Sequence, residues 1–215
     1  MLSEAAGCAT LPAVPGPEED APASGPRAEA QGRAAEDLAL LAGWRGGDAS
    51  AGDALARHYT PHLARFFGDK VQAFEVDDLV QQTWEGILQA RDRIAAEITS
   101  FRAYLYGTAR FVLFAHFRRR TRAASFDPGV SSLEDLSPTP SQQASVHARL
   151  ERLAEALRKL PIDLQILLEL RYGQEMTSAE IAEVYGIPQG TAKGRLRTAK
   201  QRLDAQLARM GLAPL

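Results

Sequence analysis

The chain has 215 residues, 45% of them hydrophobic and 24% charged, a globular balance sufficient for one ordinary domain or two small ones, and not that of a wholly disordered polymer. Its 25 basic and 27 acidic side chains leave a net charge of -2, which excludes nucleic-acid coating by bulk positive charge and moves any polyanion contact to local patches. No apolar run approaches the roughly 20 residues of a membrane span, the N-terminus carries Glu4 where a secretory signal has Lys or Arg, and the single Cys8 excludes an internal disulfide framework and suits a reducing cytosol.

Residues 1–35 are mostly Ala, Gly, Pro and acids without an apolar period, and are expected to form a disordered tail. From Glu36 to Arg122, Leu, Phe, Tyr and Trp are spaced among charges as on amphipathic helices, and no alternating stretch is rich in Val, Ile and Thr. Residues 123–145 collect Ser, Pro, Asp and Gly and read as a flexible linker, and a second helical block occupies 146–215. The expected fold is therefore all-α, with two small helical domains.

Charge is unevenly placed along these blocks. Phe74 to Gly86 carries four acids and no base, Phe101 to Arg122 carries six arginines and no acid, and residues 188–210 carry six bases against Asp204 alone. One acidic segment and two basic ones suggest a protein partner and two nucleic-acid contacts, where solvated helix faces would be the plainer explanation of any one run.

The last block contains MTSAEIAEVYGIPQGTAKGRLRTAKQRL, laid out as a helix-turn-helix. Thr177 and Glu180 make a capping box; Ile181, Ala182 and Tyr185 face inward; Gly186 supplies a left-handed turn; Ile187 plugs the corner and Pro188 suits the start of the next helix. There Ala192, Leu196, Ala199, Leu203 and Leu207 form a buried stripe beside the basic Lys193, Arg197 and Lys200. Such a helix can enter a major groove with Gln189 to Arg197 against bases and phosphates.

LRKLPIDLQILLELRYGQEMTSAEIAEVYGIPQGTAKGRLRTAKQRL resembles region 4 of the extracytoplasmic-function (ECF) group of the sigma-70 family. In the first block, Gly47-Asp48 with Ala51 and Leu55 and then FEVDDLVQQTWEGIL resemble regions 2.1 and 2.2, and FRAYLYGTARFVLFAHFRRR resembles the region 2.3 and 2.4 helix. Together these likenesses cover about residues 36–210. They imply a non-enzymatic factor, without cofactor or metal, that binds core RNA polymerase and directs promoter recognition.

For the acidic segment the resemblance implies docking on the clamp helices of the polymerase β′ subunit. Asp77 and Asp78 are expected in the first helical turn, Leu79, Val80 and Trp84 as apolar anchors, and Gln81, Gln82 and Thr83 as hydrogen-bonding groups. Single-stranded minus-ten DNA would meet Arg118, Arg119, Arg120 and Arg122 along its backbone, with Tyr104, Tyr106 or Phe111 near its bases, because rings stack on bases while guanidinium groups track phosphates. The minus-thirty-five duplex would meet Thr191, Lys193, Arg195, Arg197 and Lys200, Arg195 at the least favourable angle. An anti-sigma factor is a further implied partner.

Several positions depart from the family pattern: Tyr104 stands for Trp, Phe111 for Asn, Ala115 for Asp or Asn, Gly107 for a common Arg, Ala192 for Val or Ile and Gly194 for Ser. Two other functions fit parts of the chain. A metal enzyme would use His58 and His62 at helical spacing, but Pro61 lies between them and no Glu follows His58. A regulator acting without polymerase would explain the last block and leave the acidic segment and the arginine-aromatic helix without purpose.

Overall fold

A computed structural model describes residues 26–93, 98–121, 126–136 and 148–212. Among these residues the chain is helical with no strand, in the order α1 (Pro26–Arg45), α2 (Ala49–Gly68), α3 (Ala73–Ala90), α4 (Phe101–Arg120), α5 (Leu133–Leu136), α6 (Ala148–Arg158), α7 (Ile162–Leu168), α8 (Ser178–Tyr185) and α9 (Gln189–Arg209). A π turn, Glu169–Gly173, extends α7. The expected tail boundary is corrected here: α1 begins at Pro26, ten residues inside the stretch assigned to the tail, because the Ala and Glu of that stretch favour helix once Arg33, Asp37 and Leu41 have α2 to pack on. The earlier part of the tail lies outside the described residues.

Local signals set the helix ends. Asp48 caps α2 by accepting the Ser50 backbone N–H at 2.9 Å, and the Ser100 hydroxyl caps α4 by accepting that of Ala103 at 3.1 Å. In α4 the apolar residues run almost all round, burying Phe101, Leu105, Tyr106, Ala109, Leu113 and Phe117, so this helix forms the centre of the first block. Leu55, Leu63, Phe66, Leu79 and Ile87 from α2 and α3 close around it.

The two blocks share their main core. Ile162, Ile166, Leu170, Met176, Ile181 and Val184 of the second block belong to the same buried cluster as Phe66, Tyr106 and Leu113 of the first. A smaller core of Ala156, Leu160, Leu168, Ala199, Leu203 and Leu207 joins α6, α7 and α9.

Polar contacts reinforce the seam. Lys70 Nζ lies 2.5 Å from Glu169 Oε2, Arg102 Nη2 2.8 Å from Glu180 Oε1, and Arg110 Nη2 2.9 Å from Asp163 Oδ1. Arg110 also stacks on Tyr185, 4.1 Å from the ring centre. Burial lifts the Glu169 carboxyl above its ordinary range, against the pull of Lys70.

Part of the expected linker is packed instead of free. Phe126 stacks against Phe114 and Phe117, Leu133 is buried, and Ile162 and Asp163 donate backbone hydrogen bonds to the carbonyls of Ser131 and Pro128. The reason is visible in its composition, since Phe126 and Leu133 give this Ser/Pro-rich stretch two apolar anchors. Residues 122–125 and 137–147 lie outside the described residues.

Candidate polymerase and nucleic-acid interfaces

The acidic helix starts earlier than its charge pattern suggests. With Ala73 as its first residue, the first turn holds Glu75, whose carboxylate accepts the Gln72 backbone N–H at 2.9 Å, and Asp77 and Asp78 fall in the second turn. Both aspartates are exposed, as is Gln81, whose amide donates to Glu85 at 2.8 Å; the Gln82 amide donates to Asp78 at 2.6 Å. These groups form an acidic, hydrogen-bonding surface one face wide.

Leu79 is wholly buried and Val80 nearly so, and the Thr83 hydroxyl is spent on the Leu79 carbonyl at 2.8 Å, so none of the three can anchor a partner. The anchor expected at Leu79 is a core residue, placed inward by the helical period that puts Asp78 outward. Trp84 is half-buried and donates its indole N–H to Thr60 at 3.1 Å. Two apolar residues on the same helix were overlooked: Phe74, 83% exposed, and Leu88, 55% exposed. Phe74 had a signal, since it opens the base-free acidic run.

The basic end of α4 lies against this helix. Arg120 Nη1 reaches Glu75 Oε2 at 3.1 Å, the His116 ring nitrogen Nε2 lies 3.5 Å from the other oxygen, and Arg119 donates to Gln82 at 3.3 Å. Burial lowers the His116 pKa, partly opposed by Glu75. Arg118, Arg119 and Arg120 are exposed in the last turn, where free carbonyls favour cations; Arg122 lies outside the described residues. Phe111 is 66% exposed and available for stacking, and Tyr104 is half-buried. Tyr106 is not available: it is 1% exposed, packed 5.5 Å from Phe66 between ring centres, with burial raising its hydroxyl pKa. Its expected base contact is withdrawn, because α4 buries more of its circumference than a surface helix does.

The helix-turn-helix forms as the residues require. Thr177 and Glu180 close a reciprocal capping box, and Gly186 ends α8 in the left-handed region at φ 60°. Ile187 packs on the core while its N–H donates to the Ala182 carbonyl at 3.0 Å, and Gln189 at the start of α9 bonds Ser178 across the corner at 3.0 Å. Ala192, Ala199, Leu203 and Leu207 are buried and Leu196 is half-buried.

Thr191, Lys193 and Arg197 are exposed, and Lys200 is half-buried. Arg195 turns away from the basic stripe: its Nη1 lies 3.6 Å from Asp163 Oδ2 and its guanidinium 5.8 Å from the Tyr185 ring centre. A Cβ at Gly190 or Gly194 would meet nothing within 4 Å, so these glycines leave the exposed face of α9 low without serving internal packing.

The His58 and His62 rings lie 5.2 Å apart. Among the described residues no group of three or more His, Cys, Asp and Glu converges as a metal site, and no helix is long and apolar enough to cross a membrane.

Residues 54–123 match the family of sigma-70 region 2, and residues 150–203 match that of sigma-70 region 4. The ECF RNA polymerase sigma factor SigL of Mycobacterium tuberculosis is 33% identical over 178 residues, covering 77% of this chain and 96% of the relative. The ECF RNA polymerase sigma-E factor of Haemophilus influenzae is 25% identical over 183 residues, covering 80% and 95%. Among solved structures, CnrH in complex with the cytosolic domain of CnrY aligns over 81% of this chain and 98% of that one, with a TM-score of 0.60 and 25% identity. The sigma factor RpoE of Bartonella quintana, solved with the anti-sigma factor NepR, shares the fold over 73% and 96%, with a TM-score of 0.54 and 23% identity.

Proposed function

This chain belongs to the ECF group of the sigma-70 family, and from that premise we propose that it binds core RNA polymerase in the cytoplasm through the exposed face of α3 and directs it to promoters. It is a specificity factor and carries out no reaction of its own. Asp77, Asp78, Gln81 and Gln82 offer charge and hydrogen bonds to the β′ clamp helices, and Phe74 and the exposed edge of Trp84 supply the apolar contact that Leu79 cannot.

On the DNA side, Phe111 and Tyr104 stack on unpaired minus-ten bases and Arg118, Arg119, Arg120 and Arg122 follow the strand. Thr191, Lys193 and Arg197 enter the minus-thirty-five major groove, Lys200 meets phosphate, and Arg195 joins them once it leaves Asp163. An anti-sigma factor is a further proposed partner, as NepR is for RpoE of Bartonella quintana.

The observation that supports this reading over a polymerase-free regulator is the unpartnered outward edge of α3, where Asp77 and Asp78 stand exposed beside Phe74. Titration of core RNA polymerase with the full chain, followed by transcription from genomic fragments and mapping of start sites, tests it. Saturable core binding and a shared upstream sequence pair are expected. A chain that retains duplex binding but ignores core polymerase would establish the regulator instead.

A further inference from the structure

A cavity of about 240 Å³ lies where α1, α2, the start of α4 and the turn after α7 meet. That is below the about 300–1,000 Å³ of sites for drug-sized ligands, so a fitting occupant is small. Among the described residues, none of α3 or α9 lines it, and an occupant would leave the surfaces proposed for polymerase and duplex free.

Three guanidinium groups line the cavity, and two of them are already neutralised. Arg33 Nε lies 2.9 Å from Asp37 Oδ1, and Asp37 also accepts the Tyr59 hydroxyl. Arg102 Nη2 lies 2.8 Å from Glu180 Oε1, while the other Glu180 oxygen accepts the Thr177 backbone N–H at 2.9 Å. Both carboxylates are thus spent within the wall. Arg65 is exposed at the rim and makes no ion pair or hydrogen bond among the described residues.

His58, His62 and Arg65 follow one another at i, i+4 and i+7, so they share one face of α2. The two imidazole centres are 5.2 Å apart. Burial lowers both imidazole pKa values, helped by Arg33 at His58 and by Arg65 at His62, and opposed by Asp37 and Glu36 at His58 and by the Gln174 side chain at His62. The rings are therefore neutral at pH 7. A dianion beside them reverses that balance: it draws protons onto the rings and meets three donor groups on one wall, matching the three oxygens of a phosphate group. A carboxylate brings one charge and two oxygens and leaves a donor unmet. Glu175 lines the same cavity without an ion pair among the described residues, and its backbone is held in the left-handed region at φ 52°. Its carboxylate accepts hydroxyl groups and repels further negative charge, which disfavours a polyphosphate.

We propose that this cavity binds a small compound through one phosphate group, held by His58, His62 and Arg65. The site is independent of the sigma reading, since it uses no residue assigned to polymerase or DNA.

Titration of the full chain with inorganic phosphate and with glycerol phosphate, in chloride at constant ionic strength, tests it, with the four histidine ring signals followed by NMR. The His58 and His62 signals should shift together and saturably, and their pKa values should rise on binding. His116 is an internal control, because it lies beside Arg119 and Arg120 and would respond to phosphate on the α4 arginines. Arg65→Gln should weaken both ligands about tenfold or more, and Arg65→Lys by less, because it keeps the charge and loses the fork. Sulfate, a dianion throughout, should bind more tightly at about pH 6 than at about pH 8, and His62→Gln should reduce that gain. Glu175→Gln should leave inorganic phosphate bound at least as tightly. Preference for glycerol phosphate would identify a monoester as the ligand, and equal affinity the free ion. Far-UV circular dichroism identifies folded variants. Absence of saturable shifts at His58 and His62, shifts confined to His116, or unaltered affinity in folded Arg65→Gln would overturn the site, whatever the outcome of core polymerase binding.

Discussion

Lys70→Met is the sharpest probe of how the two blocks hold together. Lys70 is 3% exposed, donates to the Phe66 carbonyl at 2.5 Å and to Glu169 at 2.5 Å, and lies 4.2 Å from the Phe66 ring centre. Methionine replaces its stem but leaves the part-buried Glu169 carboxylate, 22% exposed, without its cation, which costs about 1–3 kcal/mol. At about 2–4 °C per kcal/mol for a domain of this size, the melting temperature should fall by about 2–12 °C at neutral pH. The loss should also depend on pH. Burial already raises the Glu169 pKa, and removing Lys70 raises it further. An acid whose folded pKa exceeds its unfolded value binds its proton more tightly in the native state, so stability falls as pH rises between the two values. The deficit should therefore be smallest near pH 4–5, close to the unfolded carboxyl, and full above the folded one. Lys70→Met with Glu169→Leu should recover most of it, because removing both ions also removes their desolvation penalty. Calorimetry from pH 4 to 8 reads the wild type and both variants. A deficit below about 1 kcal/mol, flat with pH and not relieved in the double variant, would refute the buried interblock pair.

Four further outcomes follow from other contacts. Asp78→Arg with Gln81→Ala should weaken core polymerase binding in a titration while leaving the circular dichroism spectrum unchanged, since both side chains are exposed. Tyr59→Phe removes the hydrogen bond its hydroxyl donates to buried Asp37 and should cost about 1–3 kcal/mol in denaturant unfolding; burial already raises the Asp37 pKa, so the loss should grow as pH rises above the carboxylate range. Gly186→Ala places a Cβ at φ 60° and should cost about 1–2 kcal/mol in the same assay. Arg197→Ala should lose about 1–3 kcal/mol at one promoter position, whereas Lys200→Ala should weaken all duplexes alike and lower the salt slope by about one; equal, sequence-independent losses in footprint titrations would remove the base-reading role of Arg197.

The helix-turn-helix was legible because its determinants are local. Thr177 meets Glu180 three residues on, Gly186 needs only its own backbone freedom, and the stripe from Ala192 to Leu207 follows one helical period. The acidic and basic segments were legible as charge runs for the same reason. Depth was harder to read. Leu79 and Tyr106 have the composition of contact residues, and whether such a side chain faces a partner or the core depends on how much of its helix is covered. For α4, which packs against α1, α3 and α8, the buried arc is wider than one face and leaves Phe111 and Arg118 outside it, while apolar residues lie on both sides of that boundary, so no single-face pattern survives in the sequence. The helix start at Pro26 was obscured by small residues, which are compatible with tail and helix alike until Asp37 and Leu41 find α2.

The seam was illegible for a further reason, which is separation along the chain. Lys70 and Glu169 stand 99 residues apart, Arg102 and Glu180 78, Arg110 and Asp163 53, and each charge alone resembles a solvated one. What the sequence did expose was Gly107, seen as an absence where the family commonly has Arg. In isolation that glycine weakens a helix by up to about 1 kcal/mol and removes a cation from a DNA-binding surface. In the fold it lies against the Val184 carbonyl of α8, where an added Cβ would sit 3.5 Å from the oxygen, an ordinary contact. Gly190 and Gly194 face open space, whereas Gly107 lies against Val184 of α8, a neighbour far along the chain that no local pattern in the sequence announces.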